Sequence, residues 1–235
     1  MLVWAHGGSF VGGSVAQWAD VLGTIAVAAD VTVVGVDYRL APAWRHPAAV
    51  VDVLDVVARE AARQLDLPVL VAGDSAGATI AFSATLQAAA RGSAAAGALL
   101  LYPPLDPRCR SASYEAAPDL FPTAPYLRRV WQLYAGARPS SIPTTPIDVR
   151  ARELLDRVSR TRIVVGCNDP VRDDCAHLEK LLGEAGGDVR CDTVGWLEHG
   201  ALLGTAGDPD SPLQEWIARA VCELVDPPTL EASRV

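Results

Sequence analysis

Short β-branched runs at residues 2–5, 31–37, 69–73, 98–102, 163–166 and 189–194 alternate with longer stretches of helical pattern at 16–29, 48–65, 76–91, 174–183 and 213–225. The short runs predict strands and the long ones helices. Repeated strand-helix-strand units imply an α/β fold, a mostly parallel sheet of about six strands covered by helices on both faces. The alternation stops between Pro103 and Arg160, a stretch rich in Pro, Ser and Arg with one helical pattern near 126–134. A long excursion from a regular sheet more often faces a substrate than hangs free, so residues 104–160 read as a cap-like insertion. Residues 1–225 are expected to form a single domain, with 226–235, which carry Pro227 and Pro228, as a flexible tail.

Composition narrows the class. With 235 residues, 50% of them hydrophobic, the chain can bury a sizeable core. A formal net charge of −8 without a Lys/Arg cluster argues against nucleic acid or an anionic membrane as partner. Cys109, Cys167, Cys175, Cys191 and Cys222 form no CxxC pair and no metal-like spacing. They read as free thiols, buried or partly buried, in a reducing cytoplasm. Residues 1–18 lack a basic leading segment and carry His6 within the apolar run, which makes a poor signal peptide. The longest apolar region, 80–101, is interrupted by Gln87 and Arg91, which disfavours a membrane span.

The stretch VLVAGDSAGATIAF carries the strongest chemical signal: an apolar strand, then Gly73-Asp74-Ser75-Ala76-Gly77, then a helix of small residues. A G-x-S-x-G turn between strand and helix holds its serine in strained geometry, with the glycines removing side-chain clashes. Ser75 then projects at a helix N-terminus, where backbone N–H groups favour developing negative charge. Its base is sought among His6, His46, His177 and His199. In this arrangement acid and histidine follow the serine in the chain, which sets aside His6 and His46. His177 falls within a predicted helix, whereas His199 follows the last predicted strand on a loop beside Gly200.

The acid is expected after the preceding strand, in IVVGCNDPVRDD. Pro170 fixes the chain just beyond Asp169 in a loop, while Asp173 and Asp174 look like N-cap and first-turn residues of the next helix. Asp169 is therefore expected to accept a hydrogen bond from His199 and hold its tautomer. The opening HGGSF, an ordinary turn by itself, gains meaning beside this serine. A tetrahedral intermediate needs N–H donors from Ala76 and from a glycine-rich loop after an earlier strand.

Taken together, the chain resembles the bacterial hormone-sensitive-lipase-like branch of the α/β-hydrolases. The matching segments are HGGSFVGGS at 6–14, VDYRLAP at 36–42, PAAVVD at 47–52, GDSAGA at 73–78, YPPLD at 102–106, DPVRDD at 169–174 and HG at 199–200. The resemblance implies an esterase for small-molecule esters of short to medium acyl chains, working without metal or organic cofactor. It implies Ser75, Asp169 and His199 as the triad and the N–H groups of Gly8, Ser9 and Ala76 as the oxyanion hole, with Gly7 in support. Tyr38, Arg39 and Pro42 would organise loops near the site, and a homodimer is plausible by the same analogy. An amidase or deacetylase, or a non-catalytic ligand-binding hydrolase fold, remains open as an alternative.

Three departures from the family pattern stand out. Ser9 replaces a third glycine, so its Cβ is expected to tune the loop without removing its N–H. Ala78 replaces another glycine after the elbow. Upstream residues that would supply further strands and cap helices do not precede the opening strand, so Met1 is expected to be an internal start. The 31–37 strand would then lie at a sheet edge and the acyl pocket would be unusually open. Trp4, Phe10, Trp18, Trp44, Phe121, Tyr126, Trp131 and Trp196 are the candidate pocket or cap aromatics, with core packing the ordinary role for each.

Overall fold

The six apolar runs become six strands of one parallel sheet: β1 (Leu2–Ala5), β2 (Val33–Val36), β3 (Val69–Asp74), β4 (Ala95–Leu101), β5 (Arg160–Gly166) and β6 (Asp188–Val194). The computed structural model describes residues 1–63, 68–92, 95–136, 142–147, 149–158 and 160–225. Strand order is β2-β1-β3-β4-β5-β6, so the chain starts near one edge, crosses the centre at β3 and ends at the other edge. β1 and β3 are buried along their whole length, as strands covered on both faces should be. β6, at the far edge, carries exposed and half-buried positions instead.

Five longer helices cover this sheet: α1 (Val15–Ala28), α2 (Ala48–Arg63), α3 (Ala76–Ala90), α7 (Arg172–Glu184) and α8 (Pro212–Val225). Helices α1 and α8 pack on each other and on one face, whereas α2 and α3 pack together on the other. α3 is enclosed on nearly every side, which its small residues allow. The expected insertion holds α4 (Ala112–Ala116), α5 (Ala124–Ala135), α6 (Val149–Arg152) and a 3-10 turn at Leu155–Arg157. Only α5 was legible as a helical pattern; α4 and α6 are too short to show periodicity. The expected tail, 226–235, and the end of the helix expected to reach 65 lie outside the described residues.

Local hydrogen bonds explain the trimmed strand at 31–37. Val31 N–H turns back to Ala26 O at 3.2 Å, and the Asp37 carboxylate accepts from Val15 N–H at 2.7 Å to hold the start of α1. Only Val33–Val36 is left to pair with β1, at the sheet edge. Because all pairings are parallel, the loops after β1, β3, β5 and β6 leave from the same end of the sheet. That edge gathers residues 6–14, 75, 167–171 and 195–200. Among the described residues no helix is long and apolar enough to cross a membrane. All five cysteines are free, and Cys222 is exposed where partial burial was expected.

Candidate active site

Ser75 stands between the end of β3 and the start of α3 with φ 51° and ψ −124°, a conformation an L-residue adopts only when its surroundings impose it. Two close approaches impose it. A Cβ on Gly77 would lie 2.1 Å from Ala5 O, and one on Gly73 would lie 2.6 Å from the same oxygen. The end of β1 therefore rests directly on the turn, which only glycines at 73 and 77 permit.

Ser75 Oγ lies 2.8 Å from His199 Nε2. On the other side of the ring, His199 Nδ1 lies 2.9 Å from Asp169 Oδ2 and 3.1 Å from Oδ1. A carboxylate facing Nδ1 places the imidazole proton there and leaves Nε2 as acceptor for the serine O–H. Asp169 Oδ1 also accepts from Val171 N–H at 3.0 Å, which fixes the carboxylate. Both side chains are shielded, His199 at 2% and Asp169 at 0% exposure. The Tyr102 ring lies 4.8 Å from the imidazole, and its hydroxyl accepts from Leu202 N–H at 3.3 Å. Thus the first residue of YPPLD braces the histidine loop.

The His6-Gly7-Gly8-Ser9-Phe10 loop follows β1 on the other side of Ser75. Gly8, Ser9 and Phe10 have φ of 117°, 56° and 66°, so the chain turns through three left-handed residues in succession. Val11 N–H and Gly12 N–H both donate to Gly8 O, which closes the turn. Among the described residues the N–H groups of Gly8, Ser9 and Ala76 meet no protein acceptor. Gly7 N–H differs, being donated to Asp74 Oδ1 at 3.0 Å. Gly7 is thus tied to the elbow through Asp74.

Asp74 was passed over in the sequence as the variable position of the elbow, yet it binds the site together. Its Oδ1 accepts from Trp4 Nε1 at 3.1 Å, Trp18 Nε1 at 3.0 Å and Gly7 N–H. Burial pushes its carboxyl up to about 6, against the pull of these donors and of His199. Trp4 and Trp18 are core residues with polar tips on this carboxylate, which no periodicity could reveal. His6 Nδ1 donates to Gly7 O at 2.6 Å, and its ring stacks on Tyr38 at 4.3 Å. Burial lowers its pKa, against the opposing pull of the Gly7 carbonyl and of Asp37. Tyr38 OH donates to His6 O at 2.7 Å, and Arg39 pairs with Asp52 at 2.8 Å, both ties within the segment expected to organise loops.

Asp174 lies in the first turn of α7, as expected, whereas Asp173, expected as the N-cap, lies in that turn too. The N-cap is Val171, and both carboxylates sit in the first turn of α7, where they anchor the start of the insertion. Asp174 Oδ2 accepts from Leu105 N–H, Asp106 N–H and Tyr114 OH at 2.8–2.9 Å. Asp173 Oδ2 accepts from Ser113 N–H at 2.8 Å. His177 lies on α7, away from these contacts, and His46 is buried with its ring on Tyr134 OH and Ile142 O.

Of the candidate aromatics, Trp4, Phe10, Trp18 and Trp131 are core, whereas Trp44 and Trp196 are exposed. Phe121 and Tyr126 border the site. The Phe121 ring meets His199 at 5.8 Å and Tyr126 at 5.4 Å. Tyr126 OH donates to Ser9 Oγ at 2.8 Å, a contact across the side expected to be open. Beside His199 a cleft of about 320 Å³ is lined by Leu120, Phe121, Asn168, Pro170, Leu197 and Glu198. Among the described residues no cluster of His, Cys, Asp or Glu is placed to hold a metal ion.

A family model described as alpha/beta hydrolase fold matches residues 2–203. Ethyl acetate hydrolase of Pseudomonas putida is 31% identical over 211 residues, which are 84% of this chain and 64% of that protein. Esterase LipI of Mycobacterium tuberculosis is 36% identical over 218 residues, 88% of this chain and 67% of that protein. The chain thus spans about two thirds of the length of these relatives, 64% and 67%. A solved esterase of Pyrobaculum calidifontis superposes with a TM-score of 0.82 at 26% identity, covering 94% of this chain and 75% of that one. The strained elbow serine, the parallel sheet beneath it and a family match across residues 2–203 agree: the chain belongs to the alpha/beta hydrolase fold family.

Proposed function

We propose that this protein is a serine carboxylic-ester hydrolase in which Ser75 is the nucleophile, His199 the general base and Asp169 the group that orients it. The observation that carries this reading is the unbroken line of hydrogen bonds from Ser75 Oγ through His199 to Asp169, at 2.8 and 2.9 Å. His199 Nε2 takes the serine proton as Oγ attacks the ester carbonyl carbon. The oxyanion formed is met by the free N–H groups of Gly8, Ser9 and Ala76, at the positive end of α3. Collapse of the intermediate expels the alcohol, which takes the proton from His199 and leaves Ser75 acylated. Water, deprotonated by His199, then releases the acid and restores Ser75.

Residues 104–160 serve here as a partial cap over the site, within a domain running from 1 to 225. The names of the relatives, ethyl acetate hydrolase and esterase, support an ester as substrate. The test is intact-mass spectrometry after fluorophosphonate treatment of the chain and of Ser75→Ala. A single adduct on the former and none on the latter is the expected result. A folded chain that takes up no adduct would overturn the reading.

A further inference from the structure

The site contains a feature that the triad does not use. Ser75 touches His199, His199 faces the Phe121 ring, Phe121 meets Tyr126, and Tyr126 OH reaches Ser9 Oγ. From Ser9 the loop runs back to Gly7, whose N–H is tied to Asp74, the neighbour of Ser75. These contacts close a ring that passes through the nucleophile. One link of it, Ser9 to Tyr126, spans 117 positions of sequence and rests on a serine at a left-handed φ of 56°, where glycine would be unstrained.

The two halves of an ester fall on opposite sides of this ring. The leaving oxygen must face His199 Nε2 to receive its proton, so the alcohol half lies on the His199 side of Ser75. With the carbonyl oxygen at the N–H groups of Gly8, Ser9 and Ala76, the acyl substituent is directed away from His199, toward Ser9 and Tyr126. There the Ser9 side chain fills space that a glycine would leave open, and the Tyr126 hydroxyl locks against it.

This part of the rim is not free to swing. Tyr126 lies in the first turn of α5, where its N–H is capped by Thr123 Oγ1. Further along α5, Trp131 and Tyr134 hold Phe10, next to Ser9, with ring centroids 4.8 and 4.2 Å away. The helix and the loop are thus fastened together beside the Ser9–Tyr126 bond by the Phe10 ring contacts.

We propose that the Ser9–Tyr126 hydrogen bond closes the acyl side of the site, so that the protein takes esters of short acids, acetate above all, while accepting larger alcohols. The proposal rests on the reading of Ser75, His199 and Asp169 given above. Both residues determine specificity by shape.

The test compares kcat/KM for p-nitrophenyl acetate and p-nitrophenyl octanoate in the wild type, Tyr126→Phe, Tyr126→Ala and Ser9→Gly. The expected wild type favours acetate by at least roughly ten-fold, since overhanging methylenes in a filled pocket each carry a penalty of that order. Tyr126→Ala and Ser9→Gly should raise the octanoate-to-acetate ratio by roughly ten-fold, with Tyr126→Phe between them and the wild type. A purely structural role would lower both esters by the same factor and leave the ratio unchanged, which would overturn the proposal. So would a wild type that already cleaves octanoate as well as acetate. Acetate hydrolysis by the wild type separates these failures from that of the triad itself, since a wild type inert toward both esters would overturn the triad and this proposal together.

Discussion

The floor of the site and its rim are built by opposite means. On the floor, Ser75 and Asp74 are tied to backbone groups of other segments, Asp169 and His6 to backbone groups of their own loops, and Trp4, Trp18 and Tyr102 close over them from the core. On the rim, Leu120, Phe121 and Tyr126 are 48%, 56% and 39% exposed, and they meet the site through one hydroxyl pair, Tyr126 with Ser9, and one ring contact, Phe121 with His199. A buried donor or acceptor left without its partner costs about 1–3 kcal/mol, whereas an exposed side chain can change with little penalty. The floor is therefore where reaction chemistry and folding are coupled, and the rim is where selectivity can vary alone.

The largest effects should come from the floor. Ser75→Ala and Asp169→Asn are expected to lower kcat by roughly 10⁴-fold or more, because nucleophile, base and orienting acid act as one unit. Their melting temperatures should stay close to the wild type, since neither change opens a cavity. Steady-state kinetics beside a thermal melt checks both. A variant as active as the wild type would detach the triad from the reaction.

Next comes Gly77→Ala, which adds one carbon 2.1 Å from Ala5 O and 2.3 Å from His6 O. Backbone cannot give way there without lifting β1 off the elbow, so a loss upwards of about 3 kcal/mol is expected in urea unfolding. Gly195, with nothing in the way of a Cβ, is the control: Gly195→Ala should differ from the wild type by about 0.5 kcal/mol or less. Equal losses for the two would mean that the close approach at the elbow is not what fixes Gly77.

Asp74 tests the floor by pH. In the folded chain its carboxyl is raised from 3.8 to about 6, so between these values the folded state holds a proton that the unfolded state has released. Stability from this group therefore falls as pH rises from about 4 to about 6, and the deficit is complete above that. Asp74→Asn keeps an oxygen for Trp4, Trp18 and Gly7 and removes the titration. The unfolding free energy of the Asn variant minus that of the wild type should grow across this window by on the order of 2–3 kcal/mol. His6, whose pKa is lowered, contributes with the opposite sign but is common to both proteins and cancels in the difference. A difference that stays flat from pH 4 to pH 7 would sink the assignment.

The sequence announced these two regions unequally, for physical reasons. Ser75, Asp169 and His199, proposed here as the triad, follow strands and sit near Gly or Pro, so chain order and local punctuation single them out as candidates. Ala76 follows from the elbow itself, whereas Gly8 and Ser9 needed the resemblance, because the proposed oxyanion donor is a backbone group that any residue carries. Asp74 with Trp4 and Trp18 was hidden because indoles in an apolar run look like core until their N–H groups are seen to converge. Asp174 looked like a helix-start residue and serves as an anchor for Leu105, Asp106 and Tyr114 because the insertion folds back over α7. Tyr126 and Ser9 are brought together by tertiary folding alone, across a stretch whose rhythm is irregular.

The smallest expected effect sharpens the contrast most. Phe121 stands on the rim with its ring edge-on to His199 and tilted against Tyr126, and more than half of it faces solvent. Removing it deprives the folded state of little buried area, so Phe121→Ala should change the unfolding free energy by about 0.5 kcal/mol or less. The same ring faces His199, the side on which the alcohol half of an ester would lie, so the loss should appear in KM for aryl esters, with kcat nearly unchanged. A several-fold rise in KM for p-nitrophenyl acetate, absent for ethyl acetate, is the expected pattern, because only the aryl alcohol is large enough to lean on the ring. If Phe121→Ala instead lowered kcat and stability together, the rim would be part of the floor, and selectivity could not be altered there without loss of folding.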